Sequence, residues 1–510
     1  MRKAAALLAL IAITVGCGSD DGGSASTSPT KLLPLHAVLD PVAGGRIVDA
    51  DDREVLLRGV NVNAFAEYWE SNEFPTTFPF SESDADLIAG IGWNAVRLLL
   101  SWSRVEPAPG EYDDAYLDEI GDAVEILTER GVYTILDMHQ DAWGATLAAR
   151  PDEACAPGTA PALGWDGAPA WATFDGGLPR CTTIGIRETS PAVRSAWEAF
   201  WQNAEGPGGI GLQQRYAAML GHVAGRFADN PGVAGIDIMN EPNAFTAAEL
   251  DGMAALYELS AAAIRDAENR NGGFPHLILF EPSALWSAAG YGPPPIFEHD
   301  GNTVYAPHIY TGGFDNGPIS AAAFQVARDE AALFGGVPVL TGEWGSDPRR
   351  ASDPGDPYFL EHQRHQDDFR FGATLWTWRE SCGDPHKTAD FRAGRIPMVW
   401  GEFEVDCTTN DVIGMRDDLI RQLTRPAVRA APGRIAALAY DPASGSFELA
   451  GHAAQPGTEL VVFYPVAVHG AAAAQTVGLS AIDEVAAPGG GIYLRAVVQE
   501  SSWSLLLVPG

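Results

Sequence analysis

The chain has 510 residues, is 46% hydrophobic and carries a formal net charge of −35. That length and apolar content exclude wholesale disorder and allow one large domain with a smaller one. The charge excludes a basic nucleic-acid footprint, because so acidic a surface repels phosphate.

Met1-Arg2-Lys3 and the apolar run 4–15 read as an export signal, too short to span a bilayer as a mature helix. The run ends Thr14-Val15-Gly16-Cys17, which looks like a bacterial lipobox. In that reading residues 1–17 are a lipoprotein-type signal peptide, Cys17 carries lipid, and the protein is tethered to the cell envelope. The competing reading is an ordinary signal peptide cut nearby, giving a secreted protein. Residues 18–35, which begin with Gly, Ser, Asp and Thr, are expected to form a flexible polar linker.

From there strand-like and helix-like segments alternate. Strands are expected over 55–62, 94–100, 133–138, 233–239, 277–280, 303–306, 337–340 and 373–376. Helices are expected over 83–92, 114–130, 213–227, 247–269, 321–334 and 358–371. Eight strands in βα alternation argue for an α/β fold, a (β/α)8 TIM barrel over residues 36–426. Two long insertions, 144–190 and 380–411, follow strand ends, where barrel enzymes build their sites. Each holds a cysteine pair, Cys155 with Cys181 and Cys382 with Cys407. Four cysteines allow three pairings; export makes the two sequence-local pairs the expected disulfides. No CxxC or His-rich spacing suggests a metal, and no cofactor is expected. After Arg425-Pro426 short alternating runs separated by Gly and Pro suggest a small β-sandwich over 427–510.

Two strand ends carry the sharpest chemistry. Met239-Asn240-Glu241-Pro242 closes one strand, and Leu340-Thr341-Gly342-Glu343-Trp344-Gly345 closes another three strands later. Two glutamates facing each other across a barrel mouth are what glycoside hydrolysis needs: one carboxyl protonates the leaving oxygen and the other attacks the anomeric carbon. Arg97 is placed to hold the nucleophile ionised. His139 and Asp141 lie at the rim, and Asn240 is placed to hold a sugar hydroxyl. His308 and Tyr310 end a further strand, Tyr310 within reach of the nucleophile. Trp376 or Trp378 offers an aromatic floor for a sugar, the register being open.

This constellation resembles glycoside hydrolase family 5. The resemblance implies Glu241 as acid/base and Glu343 as nucleophile, with Arg97, His139, His308 and Tyr310 at recurrent site positions. Within the family the chain is most similar to the endoglycoceramidase group, through the motifs Leu57-Arg58-Gly59-Val60-Asn61-Val62, Asp137-Met138-His139-Gln140-Asp141 and Asp237-Ile238-Met239-Asn240-Glu241-Pro242. The Arg425-Pro426 joint into a β-sandwich is similar too. One departure stands out: where that group places a lysine after the first strand to grip the sugar, this chain runs Asn63-Ala64-Phe65-Ala66-Glu67-Tyr68-Trp69. The expected activity is a retaining, endo-acting β-glycosidase acting on a glycolipid. A family 5 β-glucanase or β-mannanase is the alternative, and a non-catalytic carbohydrate-binding lipoprotein is a remote third.

Overall fold

A computed structural model describes residues 31–183, 186–292 and 294–510. Eight parallel strands form the centre: Arg58–Val62, Ala95–Ser101, Tyr133–His139, Val233–Asp237, Leu277–Phe280, Thr303–Tyr305, Leu340–Trp344 and Gly372–Leu375. They lie side by side in chain order, the eighth pairs with the first, and a parallel bridge from Tyr305 to Val339 closes the ring between the sixth and seventh. The strands are Val-, Leu- and Ile-rich because helices cover the outside while side chains fill the inside. Accordingly, all seven residues of the second and third strands are buried. This is the expected α/β (β/α)8 barrel.

Helix termini follow local chemistry. The helix Glu82–Ile91 starts at Ser81, whose backbone N–H donates to Asp84 at 2.9 Å. It stops at Gly92, where φ is +93° and an added Cβ would meet the Phe463 ring of the C-terminal region. Only glycine meets both demands. The long helix Ala247–Arg270 opens on a reciprocal Thr246/Glu249 cap.

The seventh strand differs from expectation. Pro338 has no N–H to give a ladder, so the strand begins at Leu340 and runs to Trp344, its register against the eighth strand shifting between Thr341 and Trp344. Glu343 therefore lies inside the strand, where the barrel fixes its backbone. The insertions carry the disulfides Cys155–Cys181 and Cys382–Cys407, each beside a short antiparallel hairpin.

The C-terminal region packs a four-stranded antiparallel sheet against a seven-stranded one around Phe447, Leu449, Leu460, Val462, Trp503 and Leu505. The seven-stranded sheet takes Leu35–Val38, Arg46–Asp49 and Arg53–Glu54 from the start of the chain and Ala427–Pro432 from its end. Of the expected linker, residues 18–30 lie outside the described residues, as does Cys17. Leu32 and Leu35 are buried, and the Leu33 carbonyl accepts from the Tyr133 hydroxyl at 2.9 Å.

Candidate active site

The strand-end residues converge at the carboxyl end of the barrel. Glu343 is buried within the seventh strand. Glu241 lies just beyond the fourth, with a left-handed φ of +39°. A non-glycine residue keeps that conformation only where its surroundings fix it. One oxygen of Glu241, one of Glu343 and a ring nitrogen of His308 all lie within 4.8 Å of one another.

Arg97 is fully buried below them and pairs with four carboxylates: Asp137 at 2.8 Å, Asp237 and Glu281 at 2.9 Å, and Glu343 at 3.1 Å. It also donates to the side-chain oxygens of Asn61 and Asn240. Asn240 in turn donates to the Gln140 carbonyl, which fixes its amide at the mouth. The Tyr310 hydroxyl donates to Glu343 Oε2 at 2.9 Å. His308 places Nδ1 3.0 Å from Glu241 Oε1 and 3.6 Å from Glu343 Oε2, and Nε2 3.0 Å from Glu281 Oε1. Ser287 donates to Glu241 Oε1 at 2.5 Å, and Arg187 lies 3.5 Å from its other oxygen. Arg187 also pairs with Asp141 at 2.6 Å. His139 is held by Asp137 through Nδ1 at 2.7 Å, and its ring stacks on Trp376 at 5.6 Å between centroids.

The open tryptophan register resolves here. Trp376 packs with Tyr68, Leu99 and Tyr310 on the mouth side. Trp378 points the other way, its indole N–H on Asp84 at 3.0 Å and its ring edge-on to Phe403. Trp378 is therefore withdrawn as a sugar contact: residues two apart share a face only along a regular strand, and this strand ends at Leu375.

The two carboxyls are pushed in opposite directions. Burial pushes the Glu343 carboxyl up to about 8, against the charges of His308 and Arg97. Burial also acts upward on Glu241, but the His308 hydrogen bond and charge, Arg187 and Ser287 outweigh it and hold that carboxyl down at about 2. His308 would lose its proton through burial, yet Glu281, Glu343 and Glu241 raise it well above the ordinary imidazole range. Burial lifts Glu281 to about 7 and Asp137 to about 6. The sequence alone suggests the opposite, with burial and the charge of Glu343 raising Glu241 while Arg97, Asn240 and Tyr310 hold Glu343 ionised; that reading leaves out the His308 cation beside both.

Several site residues were not singled out in the sequence. Glu281 follows the fifth strand as Phe280-Glu281-Pro282, the same strand-Glu-Pro pattern that marks Glu241, and that pattern was the available signal. Asn61 and Asp237 lay inside quoted motifs without a role. Arg187, Asp166, Asp384 and His386 come from the two insertions, where no periodicity marks a site. Tyr68, in the segment that departs from the lysine pattern, is buried with its hydroxyl unpartnered among the described residues. It lies in the field of Asp384, Asp166, Asp141 and Glu343.

Three clusters have metal-ligand chemistry: His139/Asp141/Asp166, Glu241/His308/Glu343 and Glu380/Asp384/His386. In each, cationic side chains compete with a metal for the oxygens. Arg187 holds Asp141, Arg97 holds Glu343, and Lys387 holds Glu380 at 2.8 Å.

A family model described as Cellulase (glycosyl hydrolase family 5) matches residues 48–381. The chain belongs to glycosyl hydrolase family 5. Among curated relatives of this family 5 chain, endoglycoceramidase I of Rhodococcus hoagii (strain 103S) is 29% identical over 284 residues, 52% of this chain and 52% of that protein. An endoglycoceramidase of Cyanea nozakii is 28% identical over 272 residues, 49% of this chain and 52% of that protein. The chain spans about half the length of the curated relatives it matches. Among solved structures, an endogalactoceramidase has a TM-score of 0.81 at 33% identity, covering 94% of this chain and 100% of that one. Endo-glycoceramidase II from Rhodococcus sp., in a ganglioside GM3 complex, has a TM-score of 0.69 at 25% identity, covering 91% and 99%.

Proposed function

We propose that this family 5 chain is a retaining, endo-acting β-glycosidase that cuts the bond between the glycan and the lipid aglycone of a glycolipid. The observation that carries it is the pair Glu241 and Glu343, with oxygens within 4.8 Å at the barrel mouth. Retaining glycosidases keep their carboxyls about 5–5.5 Å apart, whereas inverting ones leave room for water between them. Glu343 attacks the anomeric carbon from one face while Glu241 gives its proton to the glycosidic oxygen. Water, deprotonated by Glu241, then releases the sugar from Glu343 with configuration kept. Trp376 floors the sugar, while His139 and Asp141 meet its hydroxyls.

Two observations support a lipid aglycone. The similar proteins named above include endoglycoceramidases. In addition, Phe245, Leu285, Tyr291 and Phe314, from segments after the fourth, fifth and sixth strands, are exposed apolar side chains. Phe314 stacks on Tyr310 and on Trp400, and the Tyr310 hydroxyl donates to Glu343. The test is a screen of purified protein on glycosphingolipids against soluble β-glucans and β-mannans. Release of intact oligosaccharide from the glycolipids alone is expected; cleavage confined to the polysaccharides overturns the reading.

Export and anchoring through Cys17 are also proposed, from the signal-like N-terminus and the two disulfides that an oxidising compartment favours. Cys17→Ser should move the protein from the membrane fraction to the soluble one. A wild-type protein without a lipid mass adduct would refute the anchor.

A further inference from the structure

Beside the two glutamates, three loops close into a wall whose polar groups the two-glutamate scheme leaves unused. Tyr68 comes from the segment after the first strand, Asp166 from the first insertion and Asp384 from the last. The loops are pinned to one another. The Trp69 N–H donates to the Trp165 carbonyl at 2.8 Å, the Asp141 N–H donates to the Asp166 carbonyl at 3.2 Å, and the His386 ring meets Trp165 edge-on at 4.8 Å. Asp166 and Asp384 are 0% exposed and Tyr68 is 4% exposed. Among the described residues, both carboxylate oxygens of Asp166, Oδ2 of Asp384 and the Tyr68 hydroxyl nevertheless have no hydrogen-bond partner. Buried polar atoms are costly in that state, so a ligand that satisfies them gains by doing so. They lie beside the sugar floor. Asp166, Asp141 and His139 each bring one ligand atom within 4.8 Å of the others. His386 joins Asp384, 2.6 Å from its Nδ1, to Asp141, 3.8 Å from its Nε2. His139 stacks on Trp376, His386 lies edge-on to it at 6.2 Å, and Tyr68 packs with it.

Resting on the glycosidase reading above, we infer that Tyr68, Asp166 and Asp384 are specificity-determining residues: they take hydroxyls of the sugar on Trp376 and restrict it to a neutral sugar, rejecting one that carries sulfate or carboxylate. A sugar hydroxyl both donates and accepts. It therefore gives to the free oxygens of Asp166 and Asp384, and gives to or takes from Tyr68. A sulfate or carboxylate offers acceptors alone, and it arrives at a buried wall of like charge, where repulsion is poorly screened. Among the described residues, each cationic or imidazole side chain of this wall is already held by a carboxylate. Arg187 is held by Asp141 and Glu188 at 2.6 Å, Lys387 by Glu380 at 2.8 Å, His386 by Asp384, and His139 by Asp137 at 2.7 Å. None is left to receive an anion. Burial and the Asp141 charge push the Asp166 carboxyl well above its ordinary range, a sign that negative charge is already crowded there.

The test compares aryl β-glucosides and β-galactosides with their monodeoxy analogues and monosulfates, each altered away from C2, in the wild type, Tyr68→Phe and Asp166→Asn. At least one ring position should report the wall. There, removing the hydroxyl should lower kcat/KM at least tenfold, because a site built to hold a hydroxyl discriminates against its loss, and sulfation should lower it at least a hundredfold. In Asp166→Asn the sulfate penalty should shrink at least tenfold. In both variants the deoxy penalty at that position should fall below threefold. A structural role alone would slow parent and analogue alike and leave these ratios where they were. Unmoved ratios, or sulfates cleaved within threefold of the parent at every position, overturn the inference. Should Asp166→Asn fail to fold, Tyr68→Phe, which removes a single hydroxyl, decides by its deoxy ratio. A chain that cleaves none of these glycosides refutes the reading on which this rests. Saturation-transfer NMR with the methyl β-glycosides and their sulfates then decides the wall: binding of the neutral sugars alone upholds it, and any other result ends it.

Discussion

Glu343 illustrates the tension between stability and chemistry at the scale of one residue. Its carboxyl ionises near 4.5 when free and near 8 when folded, chiefly through burial. Between those values the unfolded chain releases a proton that the folded one keeps, so stability falls as pH rises through about 4.5 to about 8. Glu343→Gln removes that penalty while keeping the shape. It should therefore melt above the wild type at pH 9, with the gap closing toward pH 4; an equal gap at both pH values would refute the raised carboxyl. The same substitution should cost about four orders of magnitude or more in turnover, because a covalent nucleophile is lost. Activity within tenfold of the wild type would remove Glu343 from that role. Glu241→Ala separates the partner's role. With an activated aryl leaving group the first step needs little acid help, so the glycosyl-enzyme should accumulate and azide should rescue turnover. The azide product should keep the β configuration; an α-glycosyl azide would exclude retention.

At the scale of the element, two tryptophans separated by Thr377 on one segment have opposite tasks. Trp378 is buried between the first helix and the last insertion, so Trp378→Ala should destabilise by about 3–5 kcal/mol in chemical denaturation with little change in KM. Trp376→Ala should do the reverse, raising KM at least tenfold. Equal behaviour of the two would contradict their opposite facing. Sequence periodicity reached the strands themselves, because parallel strands buried on both faces read as continuous apolar runs. The same argument found Arg97, Glu241, His308, Tyr310 and Glu343, each set at or near such a run. It did not reach Arg187, Asp166 or His386, which insertions carry back to the mouth across long stretches of irregular chain. Nor could it order the two carboxyls, since that depends on His308, Arg187 and Ser287, which other elements bring against Glu241. The disulfide Cys382–Cys407 closes the insertion that holds Asp384, His386 and Trp400. Cys382→Ser with Cys407→Ser should lower stability by about 2–4 kcal/mol and weaken substrate binding; an unchanged melting temperature would show the bridge to be idle.

At the scale of the whole molecule, the barrel and the sandwich read as two units in the sequence, divided after Arg425-Pro426, but the structure joins them through one sheet. Ala427–Pro432 pairs with Arg53–Glu54, immediately before the first barrel strand, and Leu56 packs into the sandwich core with Val428 and Trp503. Glu54 is buried and accepts the backbone N–H of Ile435 at 2.8 Å. Arg429, also buried, donates to the carbonyls of Trp93 and Gly131, where the second and third barrel strands begin. The sandwich thus caps the amino end of the barrel, opposite the catalytic mouth, and satisfies backbone groups that water cannot reach. The two regions should therefore unfold together. Arg429→Ala would leave those carbonyls unpaired, at about 1–3 kcal/mol for each, and calorimetry should show a single transition displaced to lower temperature. A chain ending at residue 426 would expose Leu56 and the Arg53–Glu54 edge and strand the Glu54 carboxylate without its N–H partner, so it should be insoluble or lack a cooperative transition. A soluble, cooperatively melting chain 31–426, or two separated transitions in the full-length protein, would show that the barrel stands alone and that the shared sheet is a contact without mechanical consequence.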